Sequence, residues 1–255
     1  MTNESVRRIA PEERTVSDPI AGQTREVAVA TDRMWCGIVR AAGRDVTPWH
    51  HHGDHSTIAF VVSGTKRLEF GAGGRHDVEA SPGDFLFIPS GAVHRESNPS
   101  DDETGTIAFR VGTGPPTVGV DGPGDDDAVV RRITPDDRTQ GDPTPGMVRE
   151  EAVAAEGIWS GFVRTASGAV SGWHHHGANE SAVYVLAGAM RIESGPGGQE
   201  VVDLGPDDFC YIPPGIVHRE SNPADVESNV VVVRAGSGPP TTNVRGPERS
   251  SGDGE

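Results

Sequence analysis

Trp49-His50-His51-His52-Gly53 recurs as Trp173-His174-His175-His176-Gly177, an identical WHHHG pentapeptide. The spacing is 173 − 49 = 124 residues, and the same 124 separates every other self-similar stretch. VRRIAPEERT from Val6 returns as VRRITPDDRT from Val130, VHRESNP from Val93 returns from Val217, and GTGPPT from Gly112 returns as GSGPPT from Gly236. A register held over a whole domain length marks a duplicated domain rather than a short solenoid repeat. The copies are expected at 1–122 and 123–247, joined by the DGPGDDD stretch around Asp121–Asp127, with a disordered tail at 248–255.

Around the pentapeptides the apolar runs are short and rich in β-branched and aromatic residues, such as MWCGIVRA, TIAFVVSG and DFLFIPS in copy 1 and IWSGFVRT, SAVYVLAG and DFCYIPP in copy 2. Thirty-four glycines and 20 prolines punctuate 255 residues. Both features predict an all-β chain of short strands and tight turns. VVSGTKRLEF is expected to be a hairpin reversing at Gly64, and Pro89 and Pro213 are expected to end strands, where a missing N–H costs least.

Thirty-eight acidic residues against 22 basic ones leave a formal charge of −16. Such a field repels phosphate backbones and anionic headgroups, so neither nucleic acid nor a membrane is expected as a partner. No apolar run approaches the ~20 residues of a membrane helix and the N-terminus lacks an apolar signal core, so a cytoplasmic address is expected. Cys36 and Cys210 are not repeat equivalents, since their counterparts are Ser160 and Leu86. They are expected to be reduced and buried.

On an extended strand residues i and i+2 share a face. His50 and His52 therefore point inward together while His51 points away, and a third histidine, His94, follows about forty residues later; copy 2 repeats this with His174, His176 and His218. Neutral imidazoles suit divalent transition metals, and three protein ligands leave positions open for substrate. His55 and His76, without histidine counterparts, are expected in solvent, as are Arg95, Glu96, Arg219 and Glu220. Trp49 and Trp173 either line the site mouth or pack in the core. Arg40, Arg110, Arg164 and Arg234 either form rim ion pairs or bind a substrate carboxylate.

With these residues the chain resembles the cupin superfamily, specifically its two-domain members. The family's second motif, G-x5-P-x-G-x2-H-x3-N, is met by Gly83, Pro89, Gly91, His94 and Asn98; copy 2 has Pro213, Gly215, His218 and Asn222, with Asp207 in place of the first glycine. The first motif, G-x5-H-x-H-x3,4-E-x6-G, fits copy 2 through Gly168, His174, His176, Glu180 and Gly188 with one extra residue, while copy 1 has Ser56 or Thr57 where the glutamate should stand. The resemblance implies two tandem jelly-roll barrels, each holding a metal on its histidines, with Glu180 as a fourth ligand in copy 2. The glycine spacing would put Ser181 on the metal-facing side instead, so Glu180 and Ser181 both stand as candidates for that position, Glu180 first.

A divalent transition metal is expected, iron first, with manganese, zinc, nickel or copper also suited to the ligands. The leading reading is a mononuclear-metal enzyme, oxygenase-like, acting on a small organic molecule as a monomer or homodimer; an isomerase or decarboxylase, or a non-catalytic ligand-binding protein, are the alternatives. Ser56, Phe60 and Phe87 of copy 1 become Glu180, Tyr184 and Tyr211 in copy 2. This accumulation of polar groups singles out copy 2 for chemistry.

Overall fold

The computed structural model describes residues 5–17, 20–125, 127–141 and 144–247. The tail expected at 248–255 lies outside them. Two compact units emerge, Glu13–Arg138 and Met1–Glu12 with Thr139–Glu255. In each, a seven-stranded and a five-stranded antiparallel sheet face each other as a jelly roll.

In the first unit the larger sheet runs Arg131–Ile133, Phe85–Ile88, Ser56–Ser63, Thr104–Val111, Met34–Ala41, Thr24–Ala30 and Thr15–Val16. The smaller runs Val118–Gly119, His50–His51, His94–Ser97, Lys66–Phe70 and His76–Ala80. The second unit repeats both orders with residues 124 higher, except that Met147–Ala155 is one residue longer at each end than its counterpart and the outermost strand is Arg7–Ile9. Alternation along these strands sends Ala59, Val61, Leu68, Leu86 and Ile88 into one core and Val183, Val185, Ile192, Cys210 and Ile212 into the other.

The compact units therefore do not coincide with cuts at 122 and 247. Arg7–Ile9 pairs with Phe209–Ile212 in the register Arg7↔Tyr211, and its repeat counterpart Arg131–Ile133 pairs with Phe85–Ile88 in the equivalent register Arg131↔Phe87. Arg8 reaches Asp208 at 2.7 Å, and Arg132 reaches Asp84 at 2.8 Å. Each arm thus closes the edge strand of the barrel built from the other copy, covering backbone groups that would otherwise stand open. Because both arms read VRRI, their sequences fit either edge, and identity alone could not say which edge each takes.

The hairpin expected at Gly64 is also corrected. Ser56–Ser63 and Lys66–Phe70 lie in different sheets, so Gly64, at φ +72°, turns a corner between layers against the backbone of Glu103 and Thr104. Pro89 and Pro213 do follow the strands Phe85–Ile88 and Phe209–Ile212. Asp207, which replaces the motif glycine Gly83, keeps the left-handed backbone, φ +70° against +96°. Aspartate tolerates that region better than most residues, and the Tyr184 hydroxyl donates to its carboxylate.

Gly37 marks the tightest backbone approach among the strands. A Cβ there would stand 1.9 Å from the Glu26 carbonyl oxygen, next to the bulge between Val27 and Val29. Gly37→Ala should cost about 1–3 kcal/mol in chemical denaturation; an unchanged midpoint would contradict this packing.

Candidate metal centres

In both barrels the strand register brings the histidines together. His50 is the direct antiparallel partner of His94, and His174 that of His218, which places their rings 4.5 and 4.4 Å apart. His52 and His176 follow two residues on, with rings 4.8 Å from those of His94 and His218. His51 and His175 turn outward and accept from the N–H of Gly53 and Gly177.

A fourth group joins each set, and it is not the expected one. His50, His52, His94 and Glu96 converge, as do His174, His176, His218 and Glu220, with all ligand atoms of a set within 4.8 Å of one another. Glu96 lies two residues after His94 on the strand His94–Ser97, so the pleat that aims the histidine inward aims the carboxylate inward as well. Glu180 is not in the second cluster: the Tyr211 phenol donates to its carboxylate at 2.8 Å. Ser181, one residue on and so on the opposite face, places its hydroxyl 2.7 Å from His176 Nδ1, and Thr57 does the same for His52 at 2.5 Å.

The donor set fits a metal ion. His50, His94, His174 and His218 each direct Nδ1 at a backbone carbonyl, of Pro48, Ala92, Gly172 and Ile216, at 2.8–3.0 Å. This fixes the tautomer with Nδ1–H donating and the Nε2 lone pair free. Nε2 of His52, His94, His176 and His218 is buried without a hydrogen-bond partner. A metal ion would satisfy those atoms.

Burial keeps His50, His52, His176 and His218 neutral, as ligands must be. It lowers His50 and His218 to about 4, helped by the neighbouring His94 and His174. His52 and His176 are held well below the usual range, first by burial and then by Arg110 and Arg234. An unfolded chain takes up these protons near pH 6.5, whereas the folded one resists until about pH 4. Metal-stripped protein should therefore be most stable above pH 6.5 and lose stability progressively as the pH falls toward 4. Thermal melts across that window read the effect; a flat profile would contradict it.

The two carboxylates stand in different company. Burial alone would raise the Glu96 carboxyl, but Lys66 and the histidines hold it well below its ordinary value. Lys66 Nζ donates to it at 2.7 Å, and the Gln23 amide donates to the same oxygen. In copy 2 these positions are Met190 and Met147. Glu220 is lowered, against its burial, by His174, His218, Arg149 and Arg234. A cavity of about 420 Å³ reaches His174 in this barrel, lined also by Arg149, Arg234 and Trp159.

Other expectations divide. His55 is buried, its Nδ1 3.1 Å from the His52 carbonyl oxygen, while His76 is exposed. Glu96 is buried rather than solvated, as are Cys36 and Cys210. Arg95 and Arg219 form two-pronged pairs with Glu69 and Glu193 and stack on Trp49 and Trp173. Arg40 and Arg164 form surface ion pairs with Glu103 and Glu150, but Arg110 and Arg234 are buried and stack on Trp35 and Trp159. Asn98 and Asn222 tie loops through backbone carbonyls. Glu180, Tyr184 and Tyr211 are not among the residues lining that cavity.

The fold agrees with comparisons to known proteins. A family model described as the cupin domain matches residues 38–109 and 161–234. Oxalate decarboxylase from Bacillus subtilis, solved at pH 4.6, superposes with a TM-score of 0.72 at 14% identity, covering 96% of this chain and 80% of that one. A second structure of the Bacillus subtilis enzyme, a study of its Mn(II) centres, gives 0.71 at 14% identity, covering 96% and 81%. The Lactobacillus farciminis oxalate decarboxylase formate complex gives 0.75 at 11% identity, covering 96% and 90%. No curated protein sequence matches. With a cupin domain in each copy of the repeat, the chain belongs to the cupin family.

Proposed function

We propose that this bicupin is a divalent-metal enzyme whose chemistry takes place in the C-terminal barrel on a small organic substrate. The observation that carries this reading is the convergence of partnerless buried Nε2 atoms and one carboxylate in each barrel, combined with a cavity reaching His174. His174, His176, His218 and Glu220 would hold the metal there, and His50, His52, His94 and Glu96 would hold it in the other barrel. A bound divalent ion supplies Lewis acidity and open coordination positions.

The protein's own residues do the rest. Backbone carbonyls fix the imidazole orientations, the hydroxyls of Thr57 and Ser181 fix those of His52 and His176, and the closed barrel excludes water. Lys66 and Gln23 occupy one oxygen of Glu96 and so tie down the N-terminal carboxylate. Glu220 has Met190 and Met147 at the positions of Lys66 and Gln23, so that clamp is missing in copy 2, and the carboxylate oxygen that the metal does not use could accept a hydrogen bond from substrate. This difference, rather than Glu180 and the tyrosines, supports assigning turnover to copy 2.

Manganese is placed ahead of iron, because a carboxylate among imidazoles suits it and a neighbour in fold is described by Mn(II) centres. Decarboxylation is placed ahead of oxygenation on the neighbours' activity. Protein purified without a tag and loaded with Mn(II) or Fe(II) is screened against small organic acids for CO2 release and O2 uptake. CO2 without O2 consumption supports decarboxylation; stoichiometric O2 uptake gives the oxygenase reading. Neither, with metal bound, leaves a non-catalytic binding protein.

A further inference from the structure

Arg234 sits on the strand Ser228–Ala235 and is only 5% exposed, yet its Nε has no hydrogen-bond acceptor. Its guanidinium lies 4.5 Å over the Trp159 ring, and it lines the cavity that His174 also lines. Arg149, from the strand Met147–Ala155, lines the same space. Its hydrogen bonds go to the Thr144 hydroxyl and, at 3.5 Å, to Met147 Sδ, both uncharged. The acids nearby are otherwise engaged. Glu220 belongs to the histidine cluster, and Glu151 accepts from Trp159 Nε1 at 2.8 Å, holding the indole under Arg234.

Burying a guanidinium with an unmet donor is costly unless an anion completes it, and a guanidinium fork matches a carboxylate in two places. The pair also survives the duplication: Arg25, Arg110 and Trp35 stand at the equivalent positions in copy 1, where Arg110 Nε and Nη1 are again buried without partners. Divergence changed the neighbours of the metal-facing carboxylate but left these three in place. The cavity, about 420 Å³, falls in the range that encloses ligands of drug size, several times what a two-carbon diacid fills. Trp159, Pro239 and Pro240 give it an apolar wall.

We infer that the C-terminal site takes an organic acid larger than oxalate, its carboxylate on Arg234 and Arg149 and its body along Trp159, Pro239 and Pro240. This rests on the metal-enzyme reading above and names its substrate class. The reacting end of such an acid would lie toward His174, so the arginines act as binding residues.

Calorimetric titration of the full metal-loaded chain with benzoylformate, its methyl ester and oxalate tests this. Benzoylformate should bind at least about tenfold tighter than either of the others, and Arg234→Gln should weaken it by about tenfold or more. Arg234→Lys should recover part of the loss, and Arg164→Gln, on a surface ion pair, should change nothing. An ester as tight as the acid, oxalate tighter than benzoylformate, no binding of benzoylformate, or a folded Arg234→Gln with undiminished affinity overturns the inference. Should Arg234→Gln fail to fold, Arg149→Gln reads the same site. Titrating metal-stripped protein in parallel separates the two levels: a chain that takes up no metal sinks the enzyme reading, whereas acid binding indifferent to the arginines sinks this one.

Discussion

Glu96→Ala should destabilise the metal-free protein by about 3–5 kcal/mol, because it leaves the Lys66 ammonium buried without its partner. Both side chains are nearly excluded from solvent, 6% and 8% exposed, so water cannot replace the lost carboxylate. The melting temperature of the N-terminal unit should fall by roughly 10 °C or more. Glu220→Ala should cost clearly less, since Met190 and Met147 stand where Lys66 and Gln23 do. Adding Lys66→Met to Glu96→Ala should recover most of the loss, the non-additivity expected of two groups in contact. Equal costs at Glu96 and Glu220, or no recovery, would contradict the assigned pairing.

Removing one histidine from each barrel should separate the two centres. His94→Ala and His218→Ala should each lower the metal content by about one equivalent per chain, since each deletes a ligand from one site. Activity should respond unequally: a loss of about 100-fold or more for His218→Ala, and less than about tenfold for His94→Ala. Circular dichroism confirms that both variants fold. Equal losses of activity would sink the division of labour between the barrels, although not the metal sites themselves.

Most of the histidine geometry was legible in the sequence, because a strand's two-residue period puts His50 with His52 and His174 with His176 whatever surrounds them. The same rule, applied to His94-Arg95-Glu96 and His218-Arg219-Glu220, would have found the fourth ligands. Against it stand the commoner solvated fate of charged strand residues and the family motif, which has its glutamate shortly after the paired histidines. Where that motif points, Thr57 and Ser181 now hold an imidazole instead. The carboxylate of each cluster comes from the strand that carries the third histidine, in the five-stranded sheet.

Other features were out of reach for definite reasons. The edges taken by the VRRI arms depend on chain path, since both arms and both edges are near-identical. Gly64 allows a hairpin or a corner equally well; which one forms depends on how the next strand packs. Arg110 and Arg234 lie on strands buried along nearly their whole length, whereas a rim ion pair is the commoner fate of a strand arginine.

The central claim is that each barrel holds a divalent metal on three histidines and the glutamate two residues after the third. Metal analysis of protein purified without a tag, in wild-type, Glu220→Gln and Glu180→Gln forms, tests it most directly. The expected result is about two equivalents per chain in the wild type and in Glu180→Gln, with about one lost after mild chelation in Glu220→Gln. Metal lost from Glu180→Gln and retained by Glu220→Gln would contradict it.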